Sequence, residues 1–161
     1  MQISENGLQF IKNFEGCSLT AYYDIAGKPT IGIGHLIKPG ENFAAGLTEQ
    51  QALDLLANDL VLVQTSVNSR APQANQNQFN ALCSFAFNLG DSVLVTMLSH
   101  GWDNVAAQIP RWTNAGGKPS AVLARRRAAE VELFGTAYMP ECSVHRDVTR
   151  WHSPPFRALV V

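Results

Sequence analysis

Leu19-Thr20-Ala21-Tyr22-Tyr23-Asp24 and Thr30-Ile31-Gly32-Ile33-Gly34-His35, with Ala26-Gly27-Lys28-Pro29 between them, set the fold class of this chain. The outer runs carry β-branched and aromatic residues that favour extended backbone, and the middle four residues favour a turn. The expectation is a β-hairpin, widened to a three-stranded sheet if the segment after His35 pairs as well. Upstream, Leu8, Ile11 and Phe14 recur at helical spacing behind Ser4, which suits a helix N-cap, and Gly16 supplies a stop. A helix over residues 4–14 therefore leads straight into the hairpin.

Beyond a loop holding Pro39, Gly40, Asn42 and Gly46, the pattern becomes helical and stays so. Thr48 with Gln51 forms a capping-box pattern, and Leu53, Leu56, Ala57, Leu60 and Val63 follow on one face. One helix is expected there, continuing to about Ser69 before Pro72. From Gln76 to Leu89 almost every position is apolar, which marks a central, buried helix. Its polar residues Asn80, Ser84 and Asn88 fall on a single stripe, and Gly90 closes it. A short helix from Ser92 to His100 comes next. Another runs from near Asp103 through Trp112, limited by Pro110. Residues 114–119 form a loop, and Ser120 to Phe134 a last helix. The architecture is α+β with segregated parts, a single domain over residues 1–161. A small β-lobe spans about 15–46, a helical lobe spans 1–14 and 47–138, and 139–161 is an irregular tail. The cleft between the lobes is the natural place for a site.

Composition removes several function classes. The 161 residues carry a net charge of −1, with a sequence pI of about 6.4. A binder of nucleic acid driven by phosphate contacts shows a strong basic excess, which is missing here. No run of 18 or more apolar residues occurs, so no stable membrane association is expected. The amino terminus lacks the pattern of a signal peptide, which points to synthesis and residence in a cytoplasm. Cys17, Cys83 and Cys142 stand at wide, irregular spacing without a metal-binding pattern, and are expected to be free thiols, with a disulfide between two of them as the alternative. No zinc-finger type metal site is expected from that spacing, and the chain is expected to be a monomer.

The chemistry-bearing residues gather around the hairpin. Glu15 ends the first helix, Asp24 ends the first strand and Thr30 begins the second; eight residues separate the first two and five the second two. Glycoside hydrolysis uses such a set: one protonated carboxyl to donate to the leaving oxygen, one ionised, and a hydroxyl to hold water. Taken alone, the spacing better suits a helix-end charge, a turn cap and a strand residue. Other candidates face plainer readings. His35, Ser84 and Asn88 are candidates to line a sugar site, against structural hydrogen bonds for each. Cys17 with His35 would suit a thiol hydrolase, but no third group orients them. Arg125-Arg126-Arg127 point in different directions on a helix, where Arg126 can pair with Glu130 at i+4. They read as a solvated face, with one of them reaching Glu15 as the alternative.

Phe14-Glu15-Gly16, Ala21-Tyr22-Tyr23-Asp24 and Gly27-Lys28-Pro29-Thr30-Ile31-Gly32-Ile33-Gly34-His35 together resemble the phage lysozymes (endolysins) of glycoside hydrolase family 24. The family pattern of Glu, eight residues, Asp or Cys, five residues and Thr is matched without a gap. Ala81 to Gly90, Arg111-Trp112, Gly116-Gly117-Lys118 and Arg126-Arg127-Ala128-Ala129-Glu130 are also similar to family features, and the resemblance covers residues 4 to 138. It implies cleavage of the β-1,4 bond between N-acetylmuramic acid and N-acetylglucosamine in peptidoglycan, without cofactor or metal. Glu15 would be the general acid. Asp24 would orient water or stabilise the oxocarbenium-like state, and Thr30 would help place that water. The resemblance further implies holin-dependent release from the host cytoplasm to the cell wall. Two departures stand out: Val122 occupies a position where the family usually has glycine, and the family's basic surface is missing. A glycan-binding protein without catalysis and a lytic transglycosylase are the competing expectations.

Overall fold

The computed structural model describes residues 1–24 and 26–138. Helix α1 (Glu5–Glu15) starts at Ser4, whose hydroxyl accepts the Gly7 N–H, and ends at Gly16. A side chain at Gly7 would collide with its surroundings: a Cβ there would lie 2.6 Å from Ile3 Cγ1 and 2.7 Å from Asn80 Cγ. Glycine at this position is what lets α1 lie directly against the central helix.

The sheet has three antiparallel strands in the order β1 (Ser18–Tyr23), β2 (Pro29–Gly32) and β3 (His35–Leu36). Tyr22 pairs with Thr30 and Tyr23 with Pro29, so the hairpin closes immediately before Asp24. The second strand does not run unbroken to His35 as expected. Gly32 and Gly34 both adopt positive φ (64° and 78°), which turns the chain and lets His35 begin the third strand opposite Ile31.

Helix α2 (Glu49–Asp59) opens with the expected capping box between Thr48 and Gln51. The expected single helix to Ser69 is divided at Leu60, where α3 (Val61–Arg70) begins. The bend has a packing reason. Ala52, Leu53, Leu56 and Leu60 join Ile11 and Ile33 in a small core beneath the sheet. Val67, on α3, belongs to a larger core around α4 (Gln76–Leu89). A straight helix could not face both. Helix α4 is buried from Phe79 to Ala86, as its apolar circumference predicts.

α5 (Asp91–Leu98) follows, then two 3-10 turns flanking the short α6 (Val105–Gln108) where one continuous helix was expected. Pro110 lies in the second turn, where it has no N–H to continue an α-helix. The expected loop at 114–119 is a small hairpin, β4 (Asn114–Ala115) with β5 (Lys118–Pro119), turning through Gly116-Gly117. Helix α7 (Ala121–Gly135) is capped by Ser120. Val122, standing in place of the family's glycine, is 70% exposed and leaves the helix start intact. Cys17 is exposed and Cys83 buried, both as free thiols. Burial pushes the Cys83 thiol up to about 12. The expectations for Cys142 and the tail 139–161 lie outside the described residues.

Candidate active site

Asp24 is placed by its own loop. Its Oδ1 accepts the backbone N–H groups of Ala26 and Lys28, each at 2.8 Å. The Asp24 N–H donates to Lys28 O, and Gly27 N–H donates to Asp24 O, each at 2.9 Å. This is the Asx-type turn that aspartate readily forms when glycine follows it. The Lys28 carbonyl also accepts Thr30 Oγ1–H at 3.0 Å, so one backbone residue pins both hairpin candidates. Thr30 is only 2% exposed, and its hydroxyl proton is committed; toward a water it can act only as acceptor.

Glu15 is placed from the far end of the chain. Arg126 of α7 donates through Nη1 to Glu15 Oε1 at 2.5 Å across 111 positions. The Glu15 side chain is 27% exposed while that of Arg126 is 4% exposed, so the pair spans the boundary between interior and solvent. The Phe14 ring lies under the same guanidinium at 5.5 Å. Among the described residues no hydrogen bond reaches Glu15 Oε2, and none joins Glu15 to Asp24 or Thr30.

Behind this pair lies a buried charged cluster. Glu130 is fully buried. It accepts Ser84 Oγ–H at 2.7 Å and faces Arg126 Nε at 3.3 Å and Arg127 Nε at 3.1 Å. Arg127 packs its guanidinium over the Phe85 ring at 5.0 Å and donates to Asn88 Oδ1 at 2.7 Å. Burial raises the Glu130 carboxyl above its ordinary range, against the pull of Arg127, the Ser84 hydroxyl and Arg126. Burial likewise lowers Arg127, against the pull of Glu130.

The solvated-face expectation for the three arginines is therefore corrected. Arg125 is exposed, but Arg126 and Arg127 are buried. The alternative, one arginine reaching Glu15, describes Arg126. The expected Arg126–Glu130 pair is present, but the sequence does not mark Glu130 as the hub of a buried cluster; the facing polar stripe on α4 is the signal for that. That stripe is used throughout: Asn80 donates to Ser4 Oγ at 2.8 Å, Ser84 meets Glu130, and Asn88 meets Arg127.

The sugar-lining candidates fare unequally. Ser84 is fully buried beneath Arg126 and Glu130, so it supports the site from behind instead of touching a ligand. His35 is buried, with Nδ1 on Asp59 at 2.8 Å and Nε2 on Glu41 at 3.0 Å. Neither ring nitrogen is free for a sugar or for Cys17. Burial opposes charge on His35, yet the hydrogen bonds and charges of Glu41 and Asp59 outweigh it and raise its pKa. Asn88 is half-buried; with Oδ1 taken by Arg127, its amide N–H groups are what it can offer.

Among the described residues no group of three or more His, Cys, Asp or Glu side chains is arranged to hold a metal ion. Nor is any helix there long and apolar enough to cross a membrane.

Residues 12–130 match the phage lysozyme family. The endolysin of Salmonella phage P22 is 41% identical over 138 residues, covering 79% of this chain and 94% of the relative. The endolysin of Bacillus phage PZA is 38% identical over 84% of this chain, which spans 56% of that relative's length. A P22 lysozyme point mutant of known crystal structure superposes with a TM-score of 0.72 at 39% identity, over 83% of this chain and 98% of the other. The muramidase domain of SpmX from Asticaccaulis excentricus gives 0.70 at 35% identity, over 84% and 99%.

Proposed function

The chain belongs to the phage lysozyme family, and from that premise we propose that Glu15, Asp24 and Thr30 carry its reaction. It is a glycoside hydrolase of lysozyme type, an endolysin acting on the peptidoglycan of a host cell wall. Glu15 is the general acid. A carboxyl that donates a proton to a glycosidic oxygen needs one oxygen clear of its anchoring cation. The observation that carries the assignment is that Arg126 holds Oε1 while Oε2 accepts no bond from a described residue. Asp24 is the ionised partner, with Oδ1 occupied by two backbone N–H groups and Oδ2 left for a water or for the developing positive charge. Thr30 offers lone pairs to that water. Asn88 remains a candidate to donate to a sugar substituent.

In the same proposal the bond cut is the β-1,4 link from N-acetylmuramic acid to N-acetylglucosamine. The single domain acts as a monomer, with residues 15–46 as its β-lobe. It waits in the host cytoplasm until a holin opens the inner membrane. The Glu15→Gln variant tests the core of this on Gram-negative cells stripped of their outer membrane. The rate of turbidity loss should fall by at least about 100-fold; a rate within a few-fold of the parent rejects the assignment.

A further inference from the structure

Glu130 is, among the described residues, the buried carboxylate that the proposed chemistry does not use. It sits fully buried between Arg126 and Arg127. Such an arrangement is a poor way to gain stability, because apolar residues of similar volume do as well. What it does achieve is to immobilise Arg126. Glu130 takes its Nε, Ser84 O and Oγ take its Nη2 at 3.4 Å each, and Phe14 lies against the guanidinium. Only Nη1 is left, and it goes to Glu15 Oε1. The charges also balance: two arginines face Glu130 and Glu15, all within one connected cluster.

We propose that Glu130, as a carboxylate, is the positioning residue of the catalytic acid: through Arg126 it fixes where Glu15 Oε1 is held, and by offsetting Arg127 it sets the field in which Glu15 exchanges its proton. This rests on Glu15 being the acid. Among the described residues, the charged and titratable groups on the elements around Glu15 include these. Helix α7 contributes Arg126, Arg127 and Glu130, and α4 contributes only the uncharged Ser84 and Asn88. On α1, Lys12 is tied to Glu49 at 2.8 Å. Cys17 follows in the chain, and the hairpin adds Asp24 and Lys28.

Charge-altering variants read the field directly. Glu130→Gln removes one negative charge with little change of shape. Arg127→Met removes one positive charge and still fills the slot against Phe85. The double variant restores the balance. Initial rates on purified peptidoglycan below saturation are measured against pH at fixed ionic strength. Activity falls on the alkaline side as the acid loses its proton, and added positive charge favours that loss. The alkaline limb should move down by about half a unit to one unit in Glu130→Gln and up by about as much in Arg127→Met. It should return to within about 0.3 unit in the double variant. A purely structural role lowers the rate at every pH and leaves the limbs superimposed, and that result overturns the proposal. If Glu130→Gln does not fold, Arg127→Met and the double variant, which buries no unpaired charge, decide the sign. Glu15→Gln keeps the two ideas apart. Activity retained there removes the acid itself, whereas an inactive Glu15→Gln with unmoved limbs elsewhere removes only Glu130.

Discussion

Asp24 and Glu15 are separated by eight residues, yet they are held in opposite ways. Every hydrogen bond that places Asp24 comes from within four residues of it, through backbone N–H groups of a turn that the residues themselves favour. Glu15 sits at a helix end and takes its anchor from Arg126, which is itself fixed by Glu130 and by Ser84 of α4. One carboxylate is a local device. The other is a product of tertiary packing, and it exists only when α1, α4 and α7 have assembled. The two should therefore respond differently to substitution.

The largest expected effect is at Arg126. Arg126→Met should lower the rate by about 100-fold or more and destabilise the fold by roughly 3 kcal/mol, because Glu130 loses one of its two buried cations. Asp24→Asn should lower the rate comparably, since the charge is gone. Its amide oxygen can still accept from Ala26 and Lys28, so its loss of stability should stay under about 1 kcal/mol. Urea unfolding of both variants checks this. Equal destabilisation would erase the distinction between a local and an assembled carboxylate.

A third case lies between these two. His35 joins Glu41, six residues on, to Asp59, 24 residues on. Its folded pKa is raised by those carboxylates against burial. Its stabilising contribution is therefore present below the ordinary histidine value of 6.5 and is lost as pH rises through the raised one. Glu41 is lowered, so its share is present above 4.5 and is lost as pH falls through the lowered value. Thermal unfolding should show this increment at mildly acidic pH, between those two limits. His35→Asn should remove most of the decline on the alkaline side; an unchanged profile would mean that the cluster carries no linked protons. The smallest effect belongs to a purely local feature. Thr48→Ala should cost about 1 kcal/mol by removing the hydroxyl that caps α2, with the pH profile of activity unaltered.

The same contrast explains what could be read from the chain. The hairpin, its turn and the caps at Ser4 and Thr48 depend on neighbouring residues, and they were legible. The break at Leu60 was not, because the pattern on one helix face does not show that its two halves serve different cores. The hairpin across Gly116-Gly117 looked like a loop because each strand is only two residues long. At the proposed site, Glu15, Asp24 and Thr30 could be named as candidates from the resemblance around their spacing. The burial of Arg126 and Arg127 could not, since a run of three arginines looks like solvated surface unless the polar stripe on α4 is placed opposite it. For His35 a structural ion pair stood beside a cleft role, and the ion pair is what the structure shows; its partners were not legible, because Glu41 lies in a loop and Asp59 on α2.

Product analysis of digested peptidoglycan tests the central claim most directly. Mass spectrometry of glycan fragments released by the parent enzyme should show reducing N-acetylmuramic acid ends, each carrying one added water, with none released by Glu15→Gln. Anhydro-muramic ends from the parent, or hydrolysed ends still produced by Glu15→Gln at a comparable rate, would contradict a hydrolase in which Glu15, held by Arg126, is the acid.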